Sequence, residues 1–477
     1  MALDEGDWAD VQGTILRGYR VDHARHFVLK IDDAARARTL LGELVDGGAG
    51  VPQITTAARW LEKPRSFLNV GITYPGLQAL GVPSDSLASF PRSFQRGATD
   101  LQTAALVGDV GGSAPEHWIG QLSAGADVHL VLSLWVPKDL RVLDEVSGQL
   151  RAAFASAATE LSCHDARAIP GDQVHFGYRD SIAQPLVEGA PPTKRPVRDV
   201  QGAVPAGAFL LGHPNQNGGG AAYRVLPEEL STNSSFAAFR ILEQDVAGFE
   251  AFLTDGAATL GIDRELLAAK VCGRWRNGAP LVLAPEACGP SLPDHEINAF
   301  DYYADGDDGS ADDRFGYRCP VGSHVRRANP RSQPVVGGGG HLHRIIRRAM
   351  PYGGPYDPGR PDGQPRGLVG LFINADLANQ FEFLMSTWVN GATFVRSVPG
   401  PDRTNPVRNI SGDDVLGGVN DPSSSSFTIP LPPTGTDPAR NLRLTGFSRF
   451  ITTKGGAYCY LPSIRALRHL AGLPDPG

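Results

Sequence analysis

Residues 128–136 read Val128-His-Leu-Val-Leu-Ser-Leu-Trp-Val136, an apolar strand-like run that stops at Pro137. Behind it, residues 138–161 switch to a helical apolar period. The same junction recurs at 26–31 into 32–44, at 67–72 into 74–80, and at 236–242 into 245–253. It appears again at 368–373 into 375–389 and at 456–461 into 463–470. Three units fall in each half of the chain, which suggests one α+β plan used twice. The period is too loose for a solenoid. Several of the helical segments open with an acid in the first turn, or a Ser or Thr before it, as the helix dipole favours. None of the turns carries GxGxxG or GxxxxGKS/T, so a doubly wound nucleotide-binding sheet loses its main support. Split β-α-β units with antiparallel pairing fit better.

The chain has 477 residues, 41% of them hydrophobic and 20% charged, which is ordinary for a globular protein and too apolar for a disordered one. Its length calls for two domains or one large compound core. The Pro/Gly-rich stretch 191–207 is the expected joint, dividing residues 1–200 from 201–477. A formal charge of −7 argues against a nucleic-acid surface, which needs a clustered basic footprint. The opening Met-Ala-Leu-Asp-Glu-Gly-Asp-Trp has no secretory character, and the run 128–136 is far shorter than the ~20 residues of a membrane helix. Five scattered cysteines with no CxxC pair point to neither a disulfide framework nor a structural zinc site. The expected compartment is the cytoplasm. Polar stretches at 215–220, 304–313, 337–340, 351–367 and 417–426 are long enough to line or cover a site.

Three segments could carry chemistry. Cys319-Pro-Val-Gly-Ser-His324-Val-Arg326-Arg327-Ala-Asn329-Pro330-Arg331 sets one histidine among three arginines. It reads either as a solvated basic loop or as a metal-ligating histidine whose neighbours hold the anionic edge of a cofactor. In Phe176-Gly-Tyr-Arg-Asp180-Ser181-Ile182-Ala183-Gln184-Pro185, Asp180 is either a helix cap or an acid able to move protons. In His343-Arg-Ile-Ile-Arg347-Arg348-Ala-Met-Pro-Tyr-Gly353, a strand would send Arg347 and Arg348 to opposite faces; the plainer reading is a surface pair. His341 and His343 form an HxH without a carboxylate partner at useful spacing. The acidic loop 301–313 has Tyr303 at the third place of an EF-hand count and Asp312 at its end, so it reads as solvated. Cys319 lacks the surroundings of a haem thiolate and reads as a structural thiol.

Together these segments resemble the dye-decolourising (DyP-type) peroxidases over nearly the whole chain. The opening Asp10-Val-Gln-Gly-Thr-Ile-Leu-Arg-Gly-Tyr19 is similar to that family's start. Its GxxDG signature stands here as Gly177-Tyr-Arg-Asp180-Ser181. His324-Val-Arg-Arg-Ala-Asn-Pro-Arg331 matches HxRRxNPR, and Ile346-Arg347-Arg348 with Pro351-Tyr-Gly353 matches the arginine segment. Asn374-Ala-Asp376 ahead of Gln380-Phe-Glu-Phe, and Gly455-Gly-Ala-Tyr458, agree as well.

The resemblance implies two ferredoxin-like α+β domains with one haem b per chain, lodged mainly against the C-terminal one. It implies His324 as proximal ligand of the iron, Asp180 as distal acid–base residue and Arg347 as distal arginine. Ser181, Ile182 and Ala183, with Asn329 and Arg331, match positions lining the haem or its propionates, and Asp376 is the candidate carboxylate behind His324. Hydrogen peroxide and small or bulky aromatic reductants are the implied partners, with no oligomeric state fixed. Trp135, Trp388, Tyr352, Tyr356, Tyr458 and Tyr460 are available for electron hopping to bulky donors, although most read as packing residues. Two departures stand out. Ser181 replaces the family's glycine and would be strained if φ is positive there, and Gly370 stands where a bulky distal side chain is expected, implying a roomier cavity. A non-catalytic haem carrier on the same fold, or a non-haem oxygenase using His341 and His343, are the competing readings.

Overall fold

The computed structural model describes residues 2–48, 50–192, 200–218, 220, 223–303, 312–396, 411–436 and 439–474. Residues 193–199 of the expected joint, 219 of the stretch 215–220, and 304–311 of the acidic loop lie outside the described residues.

Eight strands carry the fold: β1 (His23–Ile31), β2 (Phe67–Ile72), β3 (Leu130–Val136), β4 (Ala158–Arg167), β5 (Ser235–Gln244), β6 (Ile346–Tyr352), β7 (Gly367–Asn374) and β8 (Ile451–Leu461). Among the described residues they form one sheet in the order β4-β1-β3-β2-β8-β5-β7-β6, antiparallel throughout. Each half, counted in its own chain order, runs 4-1-3-2, which is the ferredoxin-like plan used twice. The halves join where Tyr460 pairs with Ile72. The two outer strands, β4 and β6, come together at the far side, so the sheet curls round on itself. One continuous core, including Phe27, Phe67, Leu132, Phe239, Ile373 and Tyr460, fills it across both halves.

Local sequence explains the elements. All six residues of β2 are buried, and the strand ends where the Thr73 hydroxyl accepts from the Gly76 amide and Pro75 opens a helix. Helix α1 (Ala34–Asp46) is capped by Asp33 and α2 (Leu140–Phe154) by Asp139; α2 buries Leu143, Val146, Leu150 and Phe154 on one stripe. In the second half, Asp245 caps α3 (Val246–Leu260). The short α4 (His324–Ala328) starts on the sequence's densest motif, and α5 (Ile464–Ala471) crosses back to pack on α1.

Three expectations change. The helical pattern at 138–161 ends at Phe154, and residues 158–161 open β4, because the free edge of β1 takes them up in register His26↔His164. Residues 375–389 wind mainly as π-helix, over Ala378–Glu382 and Leu384–Val389. At Gly370 a Cβ would stand 2.1 Å from the Arg348 carbonyl oxygen and 2.4 Å from the Ala349 Cα. The glycine is there because β6 lies too close for any side chain, so no bulky group is missing from a cavity. Among the described residues, no helix is long and apolar enough to cross a membrane.

Candidate active site

Asp180 leaves a tight hairpin that follows β4. Gln173 bridges Ile169 and Arg179, the Val174 amide donates to the Tyr178 carbonyl at 2.9 Å, and Gly177 turns the chain at φ 80°. The Asp180 amide then donates to the Asp172 carbonyl at 2.8 Å. No helix starts here, so the capping role falls away. Instead Asp180 Oδ1 lies 3.0 Å from Arg347 Nη2, and both side chains are about one-third exposed (28% and 35%). Ser181 follows at φ +60°, the left-handed region its side chain resists. The Ile182 carbonyl accepts from Asn298 Nδ2 at 2.7 Å, Ala183 is half-buried, and Gln184 Oε1 accepts the Arg347 amide at 3.0 Å.

Arg347 and Arg348 do point to opposite faces of β6. Arg348 is not a surface residue: it donates to the carbonyls of Thr14 at 2.8 Å and Ile15 at 3.3 Å.

His324 is the first residue of α4. Its Nδ1 stands 3.1 and 3.2 Å from the two carboxylate oxygens of Asp414, whose side chain is wholly buried. Asp414 also accepts the amides of Leu416 at 2.8 Å and Gly417 at 2.7 Å. Burial alone would raise the Asp414 carboxyl, but the facing imidazole and the nearby Arg327 guanidinium outweigh it and hold the carboxyl below its usual range. Burial likewise works to lower His324, and the charge and hydrogen bond of Asp414 overcome it, leaving the imidazole above its usual value. The charges of Arg347 and Asp180 also reach the His324 ring. The three groups therefore share one electrostatic neighbourhood, although they come from distant segments. His324 Nε2 has no hydrogen-bond partner among the described residues.

Other expected site residues are placed differently. Asp376 does not touch His324: it accepts from the Tyr223 hydroxyl at 3.0 Å and from the Asn379 amide at 3.0 Å, so Asp414 replaces it as the carboxylate behind the ring. Arg326 and Arg327 are neither solvated nor turned toward a cofactor, being fully buried. Arg326 Nη1 pairs with Asp313 at 3.1 Å, and Arg327 Nη1 donates to the Trp388 carbonyl at 2.6 Å. Asn329 exchanges hydrogen bonds with Gln201 at 2.8 and 3.2 Å. Arg331, at φ +58°, lies 3.8 Å over the Phe300 ring and donates to the Phe300 carbonyl at 2.7 Å. Both ring nitrogens of His343 face carbonyl oxygens, of Asn379 and Gly337, which removes it from metal binding. Among the described residues, no group of three His, Cys, Asp or Glu side chains is placed to hold a metal ion. Burial raises the Cys319 thiol, in keeping with a structural role. Trp135, Trp388, Tyr458 and Tyr460 are buried, while Tyr352 and Tyr356 are half-buried.

The chain thus combines a twofold ferredoxin-like sheet with a carboxylate-backed histidine and an Asp–Arg pair, and known proteins similar to it are peroxidases. No protein-family model matches it. It is 29% identical to Peroxidase 2 of Mycetinis scorodonius, over 96% of this chain and 86% of that protein. It is 28% identical to a dye-decolorizing peroxidase of Exidia glandulosa, with the same coverage, and 29% identical to the multifunctional dye peroxidase DyP2 of an Amycolatopsis species, over 97% of this chain and 95% of that protein. Among solved structures, a dye-decolorizing peroxidase in complex with 2,6-dimethoxyphenol superposes with a TM-score of 0.77 at 28% identity, covering 97% of this chain and 99% of that one. A fungal DyP-type peroxidase from Auricularia auricula-judae gives 0.77 at 26% identity, with the same coverage. Over nearly its whole length the chain thus resembles the dye-decolorizing peroxidases in both sequence and fold, and its relatives are named peroxidases.

Proposed function

We propose that the protein is a haem b peroxidase, with one haem per chain, that reduces hydrogen peroxide and oxidises dyes and phenolics in one-electron steps. The observation that carries this reading is His324, whose Nδ1 is committed to a buried carboxylate while Nε2 has no partner among the described residues, within reach of the Asp180–Arg347 charges. That donor set fits a haem iron: an imidazole fixed by a carboxylate through one nitrogen and open at the other. Haem held there by His324 would supply an iron able to react with peroxide and to pass on two oxidising equivalents.

The residues supply the rest. Asp414 fixes the ring's tautomer and orientation and makes His324 a more basic ligand. Asp180 accepts the proton of one peroxide oxygen and delivers it to the other, which leaves as water; such acid–base assistance contributes about 10²–10⁴ in rate. The Arg347 guanidinium stabilises the charge that builds on the departing oxygen. The net balance is one hydrogen peroxide, two protons and two electrons, one from each of two donors, giving two waters. The same reading takes residues 1–200 as the domain supplying Asp180, and 201–477 as the domain holding haem. It takes the cytoplasm as the compartment, which suits the five free thiols.

The carrier reading gains nothing from Gly370, whose absence of a side chain has a backbone cause. Visible spectra of the purified wild type, His324→Ala, Asp180→Asn and Arg347→Leu, with and without peroxide, test the proposal. His324→Ala should lose the native pigment and ligation. The other two should keep pigment and lose about 10²–10⁴ in peroxide-dependent dye oxidation. An unchanged His324→Ala spectrum, or full turnover in both distal variants, refutes it.

A further inference from the structure

The two members of the distal pair come from segments far apart in the chain, and each must be held where it meets the other. Asp180 is fixed by its hairpin. Arg347 sits on β6, an edge strand whose pairing to β7 matches Arg347 with Phe372. The Arg347 amide donates instead to Gln184 Oε1 at 3.0 Å, a side chain four residues beyond Asp180 on the same loop. Because a backbone N–H can only donate, the oxygen end of the Gln184 amide must face it. From the other direction, the Arg347 carbonyl accepts Arg348 Nη1 at 3.1 Å. The peptide units flanking Arg347 are thus tied on both sides, and one tie runs to the Asp180 loop.

We infer that Gln184 is a positioning residue that couples the Asp180 loop to β6 and sets the aim of the Arg347 guanidinium. The inference rests on the roles proposed above for Asp180 and Arg347. Its physical basis is that a displacement of about 1 Å at a catalytic group can cost on the order of 10²-fold in rate. Gln184 itself moves no proton.

The test uses the full-length pigmented protein with Gln184→Met, which keeps the bulk and loses the strong acceptor, and Gln184→Glu, which keeps the acceptor. Two readouts are taken: amide hydrogen exchange at Arg347, and the bimolecular rate with peroxide beside KM for a dye. In Gln184→Met the Arg347 amide should exchange faster and the peroxide rate should fall on the order of tenfold, with KM for the dye unmoved. Gln184→Glu should return both readouts toward wild type. If Gln184→Met fails to fold, the comparison of Gln184→Glu with Gln184→Asn, one methylene too short to reach, replaces it. Wild-type exchange and peroxide rate in the acceptor-deficient variant overturn the inference, as does an equal fall in peroxide rate and dye affinity. Asp180→Asn run in parallel separates the two claims: if it keeps full peroxide rate, the catalytic reading fails, whereas its collapse beside an unaffected Gln184→Met rejects only the positioning role.

Discussion

His324 Nδ1 and Asp414 Oδ2 lie 3.1 Å apart across ninety residues of chain, with the carboxylate wholly buried. A buried charge so placed is stabilised by its partners or not at all. Asp414 has four: the imidazole, the amides of Leu416 and Gly417, and the field of Arg327. Asp414→Asn keeps the shape and removes the charge. With haem held by His324 as proposed, the change should raise the iron's reduction potential and slow the peroxide reaction about 10–100-fold, the usual scale for a partner behind a metal ligand. Asp376→Asn should leave both unchanged. Potentiometry and stopped-flow mixing check this, and the opposite ranking of the two variants would sink the assignment.

That pair also marks where reading the sequence stops. The motif around His324 is local, so the histidine was legible; its carboxylate depends on how a ninety-residue excursion closes, and no spacing rule reaches that far. Asp376, the candidate that the resemblance implied, is occupied by Tyr223 and Asn379. Strands such as β2 were legible to the residue because Thr73 and Pro75 end them chemically. The start of β4 was not, since Ala-Thr-Glu-Leu continues a helical pattern and only the open edge of β1 makes it a strand. Arg326 and Arg327 looked solvated because charge normally is. Their burial follows from carbonyl groups and one acid supplied by loops folded around α4.

Ser181 holds φ +60° next to Asp180 and is exposed, so its side chain gains little packing in return. Left-handed backbone costs a non-glycine residue about 1–2 kcal/mol, and glycine gives back roughly 0.5–1 kcal/mol through its freer unfolded chain. Ser181→Gly should therefore stabilise the fold by about 0.5–1 kcal/mol in urea titration, whereas Ser181→Val should destabilise it. Equal midpoints for all three proteins would mean the turn relaxes freely.

Arg348 ties β6 to the N-terminal segment through the carbonyls of Thr14 and Ile15. Burial brings its guanidinium down to about 10, so it stays charged at neutral pH. Arg348→Met should leave both carbonyls without this donor and cost about 2–3 kcal/mol. Differential scanning calorimetry reads the loss, and a variant as stable as wild type would show that water replaces the guanidinium.

Glu382 lies buried on the π-helical segment, where Oε2 accepts the Ser93 hydroxyl at 2.9 Å and Oε1 has no hydrogen-bond partner. Burial raises its carboxyl above the ordinary 4.5, against the smaller opposing effects of the Ser93 and Tyr458 hydroxyls and the Arg96 charge. The folded protein thus binds this proton more tightly than the unfolded chain. Between the ordinary value and the raised one, the native state carries more protons, so stability falls as pH climbs through that window and is flat above it. Glu382→Gln keeps an oxygen for Ser93 and cannot ionise. The variant should match wild type below the window and exceed it in stability above, with the gap opening as pH rises from about 4.5. Urea midpoints measured from acidic to mildly alkaline pH test this; a gap that stays constant or closes toward alkaline pH would place the raised proton affinity elsewhere than Glu382.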